Sequence, residues 1–199
     1  MLVLSTALVS LLFGATVARD TIPVPVRPVA AVDLTRYAGL WHEVARFPNR
    51  FQKDCAAGTT AEYTLLENGQ IRVVNSCTRA NGSRMRAEGR ARLADAEGPA
   101  SRLKVRFAPA FLSFLPMVWG DYWIIDLTDD YGAALVGDPA RNYLWILSRS
   151  PKLDPTVYTR FTSTAAAQGF DTSRLIWTAT DSDSANDQAT PRVQLKPRM

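Results

Sequence analysis

At 199 residues, 47% hydrophobic and 21% charged, the chain is long enough for one domain with a sizeable core and short for two. A net charge of +4, spread without a run of like charges, argues against a nucleic-acid partner. One histidine and two cysteines do not make a zinc set, so no metal is expected.

Residues 1–18, MLVLSTALVSLLFGATVA, are apolar, uncharged and short for a bilayer span. They end in Thr16-Val17-Ala18, small at both key positions, the pattern of a signal peptide cleaved after Ala18. A retained anchor helix is the alternative. No Cys follows the stretch, so a lipid-anchored N-terminus is not expected. Residues 19–32 carry Pro23, Pro25 and Pro28 among Val and Ile, and read as a stiff extended linker, a tether more than a core element.

Residues 40–47 form a first apolar strand. Residues 59–66 and 71–77 flank Glu67-Asn68-Gly69-Gln70, where Asn-Gly tolerates positive φ and marks a hairpin. Cys55 and Cys77 of an exported chain read as one disulfide, with two buried free thiols as the alternative. Pairing through a two-residue turn sets Cys77 opposite Thr60, so a bulge or a bent strand start must bring Cys55 to it. Residues 83–93 alternate Met85, Ala87, Gly89, Ala91 and Leu93 with Arg84, Arg86, Glu88, Arg90 and Arg92, a period of two with one face wet. Residues 102–107 repeat this, Leu103, Val105 and Phe107 against Arg102, Lys104 and Arg106.

Residues 108–119, APAFLSFLPMVW, hold no charge and turn at Pro109 and Pro116. Phe111, Leu112, Phe114 and Leu115 cannot all face inward from such a loop. An exposed apolar loop marks a membrane or a partner, so peripheral membrane contact is expected; a lid or a homodimer interface are the alternatives. Residues 122–127, 132–136 and 143–148 complete eight strands, punctuated by Asn81-Gly82, Gly98-Pro99, Asp129-Asp130 and Asp138-Pro139. Asp154-Pro155 then opens a helical spacing of Val157, Phe161 and Thr164, which Gly169 stops. Residues 175–178 are a last short strand, and 181–199 a polar tail expected to be disordered. Short strands in series imply an all-β antiparallel up-and-down meander, and closing it into a barrel removes its edges. A sandwich looks similar at this level but does not explain the late helix.

At residues 33–180 the chain resembles the lipocalins. Gly39-Leu40-Trp41 resembles the family's G-x-W on the first strand. Thr128-Asp129-Asp130-Tyr131 resembles its T-D-Y turn with one residue extra, and Leu147-Ser148-Arg149 carries its closing Arg. Residues 46–52, 120–123 and 143–149 are similar to the bacterial outer-membrane lipoprotein lipocalins and to apolipoprotein D. His42 stands where these usually have Tyr. The resemblance implies an eight-stranded barrel with one C-terminal helix packed outside. Gly39, Trp41, Asp129, Tyr131 and Arg149 are then structural, Arg149 lying over the Trp41 ring at the closed end. It also implies a bound lipid-like molecule, a fatty acid or lysophospholipid, and a place in the periplasm, with association with the outer membrane. A barrel filled by side chains, acting as a structural or interaction module, is the alternative.

Trp41 and Arg149 facing inward set the parity. Tyr143, Trp145 and Leu147 share Arg149's side, and Val105 and Phe107 face away from the charges of their strand. The resemblance adds Tyr63 and Tyr122, with Ile124 beside Tyr122. These seven, Tyr63, Val105, Phe107, Tyr122, Ile124, Tyr143 and Trp145, are the candidate ligand-binding residues. No catalytic residue and no cofactor is expected. His42 is the sole histidine, and its neighbour Glu43 points to the opposite face of the strand. Asp129 and Asp130 are consecutive acids serving a turn.

Overall fold

The computed structural model describes residues 24–181. The segment read as a signal peptide and the tail beyond residue 181 lie outside the described residues. Nine strands follow in chain order: β1 Gly39–Arg46, β2 Ala57–Leu65, β3 Ile71–Thr78, β4 Arg84–Leu93, β5 Arg102–Arg106, β6 Gly120–Leu127, β7 Ala133–Gly137, β8 Leu144–Ser148 and β9 Ile176–Trp177. They hydrogen-bond in the order β2-β3-β4-β5-β6-β7-β8-β1-β9, and β1 pairs with β2 as well, closing eight strands into a barrel. The first half of β1, Gly39 to His42, pairs with β2; β9 takes that side at Ala45 and Arg46.

Alternation along the strands sorts the apolar residues into two cores. Tyr122 and Ile124 of β6, Ala134 and Val136 of β7, and Trp145 and Leu147 of β8 join Trp41 inside the barrel. Trp123, Ile125, Ala133, Leu135, Leu144 and Ile146 face outward, under Phe161 and Ala165 of helix α2, Pro155–Ala167, and under Phe170. Both faces of β7 are therefore dry, which is why AALVG reads as an unbroken apolar run. Asp154 caps α2 by accepting from the Thr156 N–H at 2.7 Å. Gly169, at φ +82°, ends it and turns Phe170 back onto the wall. Among the described residues no helix covers the opposite wall; there Arg72, Arg86 and Arg90 gather around Glu88.

The closed end is built around Trp41, which is fully buried. The Arg149 guanidinium stands 3.9 Å over its ring. Arg149 also donates to the carbonyls of Leu40, Arg36 and Ala38 at 2.8 Å and of Tyr37 at 3.1 Å. Those carbonyls belong to the short helix α1, Leu34–Tyr37, and to its exit into β1. Gly39 has φ +98°, and a Cβ there would sit 3.3 Å from Arg149 Nη1, so backbone shape and close approach both require glycine. Tyr131, itself at φ +60°, accepts from the Asp33 N–H at 2.9 Å and carries Arg36 over its ring at 4.0 Å.

Four sequence expectations change. Residues 24–32 lack helix and strand, as the prolines dictate, but they are docked and not a free tether. Val26 is buried in the outer core and Val32 in the inner one, and the Val29 N–H donates to Ile124 O. The Asn68-Gly69 turn is one residue longer than two: Leu66 bonds Gln70, and Gly69 alone takes positive φ. Thr60 therefore faces Ser76, and a register shift between Ala57 and Thr60 brings Cys55 to Cys77, disulfide-bonded with Cα atoms 5.6 Å apart. In the extended turn, Asp129 contributes its carbonyl, to Arg36, while its side chain is exposed. The carboxylate that holds the turn is that of Asp130, which accepts from the Gly132 N–H at 2.9 Å.

Trp41→Ala is expected to lower stability by about 3–5 kcal/mol in urea denaturation, the loss typical of a large core truncation. Opening the disulfide is expected to remove roughly 3 kcal/mol. A thiol reagent should find no free thiol under denaturing, non-reducing conditions; two reacting thiols would refute the bond.

Candidate ligand-binding site

The interior is filled at one end and open at the other. Toward Trp41, the side chains of Tyr37, Ile71, Val73 and Leu103 are buried against one another. Toward the other end, β4 pairs Ala87 with Asn75 and Met85 with Cys77, continuing the inward row of Gly89 and Ala91. Ala87 nonetheless stays exposed and Met85 half-exposed. β4 pairs with β5 only at Arg90–Leu93, so these residues line a mouth that is open on that side.

The floor of the hollow is a chain of three phenols. Tyr122 Oη lies 2.7 Å from Tyr37 Oη and 2.9 Å from Tyr63 Oη. Burial pushes the Tyr63 hydroxyl up to about 12, and raises Tyr37 and Tyr122 well above the usual phenol range. Tyr63, Tyr122, Val105, Ile124 and Trp145, predicted from parity and resemblance, all fall in the one inner cluster. Ile124 is buried completely and packs beneath the hollow. Tyr143 lies at the rim, stacked on Trp145 at 5.6 Å, with Phe51 at 5.9 Å. Phe107 is displaced to the lip: it follows the end of β5, is 42% exposed, and its ring covers Gly89.

Sequence reasoning missed a polar wall. Glu43 Oε2 accepts from Gln52 Nε2 at 2.5 Å and Oε1 accepts from Thr178 Oγ1 at 2.6 Å. Arg46 Nε is 3.0 Å from Glu43 Oε1, and Trp145 Nε1 donates to Gln52 Oε1 at 3.1 Å. Burial raises the Glu43 carboxyl above the ordinary carboxylate range, against the pull of these partners. The signal in the sequence was the doublet Val44-Ala45, which breaks alternation: a bulge between Glu43 and Ala45 puts both in the outer core and returns Arg46 to the side of Trp145. His42 is on the outer face, between Thr60 and Ser148.

The loop after β5 projects from the open end. Phe111, Phe114 and Met117 are 74%, 76% and 86% exposed, while Leu112 and Leu115 are half-buried. Trp119 anchors the loop, donating to Ser113 O at 2.8 Å and lying under Arg92 at 4.5 Å and Arg106 at 5.2 Å. A concavity of about 410 Å³ beside the disulfide is a rim groove lined by Lys53, Asp54 and Arg79, outside the barrel. Among the described residues, no group of three or more His, Cys, Asp or Glu is placed to hold a metal ion.

Tyr122→Phe strands the hydroxyls of Tyr37 and Tyr63, and each buried orphan costs about 1–3 kcal/mol. The wild-type tyrosines resist ionisation while those of an unfolded chain titrate near 10.0. Their contribution is thus complete below about pH 10 and is lost as pH rises toward about 12. Denaturation midpoints across that window should fall more steeply for wild type than for Tyr122→Phe; parallel curves would refute the coupling.

Residues 32–180 match the lipocalin-like domain family. The chain is 43% identical over 148 residues to temperature-induced lipocalin-1 of Arabidopsis thaliana, covering 74% of this chain and 78% of that protein. It is 38% identical over 159 residues to the outer membrane lipoprotein Blc of Escherichia coli K12, covering 78% and 85%. Rat apolipoprotein D is 32% identical over 162 residues, covering 77% and 78%. Among solved structures, insecticyanin of Manduca sexta superposes with a TM-score of 0.61 at 24% identity, over 80% of this chain and 86% of its own. With the closed eight-stranded barrel, the outer helix and the Trp41–Arg149 closure in place, the chain belongs to the lipocalin family.

Proposed function

We propose that this protein binds a single-chain lipid, a fatty acid or lysophospholipid, in the open half of its barrel, and stores or carries it in a bacterial cell envelope. The observation that carries the reading is the polarity of the hollow: apolar walls, a phenol floor and one hydrogen-bonded polar wall, open to solvent at a single end. The similarity to an outer membrane lipoprotein supports a place in the periplasm near the outer membrane, and residues 1–18 act as the export signal. The protein is a binder and not an enzyme; its single histidine lies outside the barrel.

The loop of Phe111, Phe114 and Met117 makes peripheral contact with a membrane, where the lipid is exchanged. Each such side chain contributes about 1.5–3 kcal/mol when fully buried, so two or three inserting together suffice for docking.

Native mass spectrometry of protein purified from its own envelope should show a co-purifying lipid mass. Acyl ligand should change tryptophan fluorescence, and Trp145→Ala should weaken binding by about 1–3 kcal/mol, the loss of a buried anchor, without unfolding the barrel. A variant with Ser at Phe111, Phe114 and Met117 should no longer co-sediment with anionic phospholipid vesicles. Wild-type sedimentation would remove the membrane contact, and a change of oligomeric state instead would assign the loop to a homodimer.

A further inference from the structure

We propose that the open half of the barrel contains an oxyanion subsite built on Arg46, which takes the carboxylate or phosphate head of a single-chain lipid while the tail runs toward Tyr122. The inference rests on the lipid-binding reading above and adds to it the charge of the ligand and its orientation.

The bulge in β1 is what creates the site. Strict alternation from Trp41 would put Glu43 and Ala45 inside and Arg46 outside. The extra residue puts Val44 and Ala45 outside together, and Arg46 pairs with Trp145 on the inner face. Bulges re-aim side chains in this way next to functional sites. A guanidinium turned into a barrel loses its hydration and needs acceptors. Its side chain is only 11% exposed, beside a Glu43 side chain that is 4% exposed.

The two partners are not equally satisfied. Both Glu43 oxygens accept hydrogen bonds, from Thr178 and from Gln52. Arg46 carries five N–H donors in a planar fork. Among the described residues it makes one hydrogen bond, from Nη2 to Gln52 O at a long 3.5 Å. Its Nε is buried and ion-paired with Glu43 Oε1 at 3.0 Å, which leaves the two Nη groups for a ligand. The wall therefore holds an Arg46–Glu43 ion pair whose guanidinium, among the described residues, keeps uncommitted Nη donors. That pattern selects an anion, and the fork matches the two oxygens of a carboxylate or phosphate. Next to it, the Trp145 and Tyr143 rings offer a flat apolar face for the first carbons of the chain.

The test compares oleate, oleoyl-lysophosphatidate and the neutral oleyl alcohol by titration calorimetry. Wild-type protein should bind at least one of the two anions about tenfold or more tighter than the alcohol, the scale of one charge-assisted contact; the tighter anion identifies the head. In Arg46→Gln the ratio of anion to alcohol affinity should collapse toward one. The double variant E43Q/R46Q, which leaves no lone buried charge, should show the same collapse with the barrel's circular dichroism intact. An undiminished anion preference in either variant overturns the subsite. Equal wild-type affinity for all three ligands overturns it too, while leaving the lipid-binding reading in place. Failure to bind any of the three removes both.

Discussion

The barrel depends on one cation. Arg149 lies over Trp41 and donates to carbonyls of residues 36, 37, 38 and 40, the segment where α1 becomes β1. That segment leads into His42, where the first strand meets both the second and the eighth. A guanidinium fork satisfies several acceptors at once while stacking on an indole; an ammonium cannot do both. Partial burial pulls the Arg149 pKa down from its usual value. With Trp41 pinned inward, every other strand inherits its phase, because a slip of one residue would turn the core outward.

That phase is why much of the fold could be read from residues alone. In β4 and β5 the alternation is clean because the outer face meets water, so charge marks it directly. In β7 and β8 both faces are dry, and only the link from Arg149 back to Trp145 tells inside from outside. The helix was readable because Asp154-Pro155 and Gly169 are end signals with local physics. The docked segment around Val26 and Val32 was not. Proline dictates extension, and nothing local says whether an extended chain lies on a surface or hangs free.

Bulges mark the limit of sequence reading. Three interrupt this barrel, at Glu43/Ala45, Ala57/Thr60 and Ile124/Asp126. Each depends on how two strands meet, and only the first leaves a local trace, the doublet Val44-Ala45. The second joins the cysteines. The first decides the site, since it reverses the expected side for Ala45 and Arg46. The aromatic part of the site, Tyr63, Tyr122 and Trp145, was legible because large rings at inward phase have nowhere else to go. The polar part was not, because a charged inward residue contradicts the very pattern used to find the inside, and because Gln52 comes from a 3₁₀ turn, Arg50–Gln52, outside any strand.

The departures from ordinary packing are concentrated at one end. Around Trp41 the chain follows the local rules, apolar inside, Gly39 where φ is positive, carbonyls capped, with Tyr131 at φ +60° the exception. At the open end it breaks several. Glu43 and Arg46 are buried where apolar residues would cost less. Phe111, Phe114 and Met117 stand in water where polar residues would cost less. Trp119 is held under two arginines to keep that loop in place. Local rules broken together in one region mark a functional or strained site more often than one selected for stability alone. The polar features face into the barrel and the apolar ones face away from it. That is the reverse of a soluble core, and it suits an amphiphile that leaves an apolar phase outside the mouth and sets its head against the wall within.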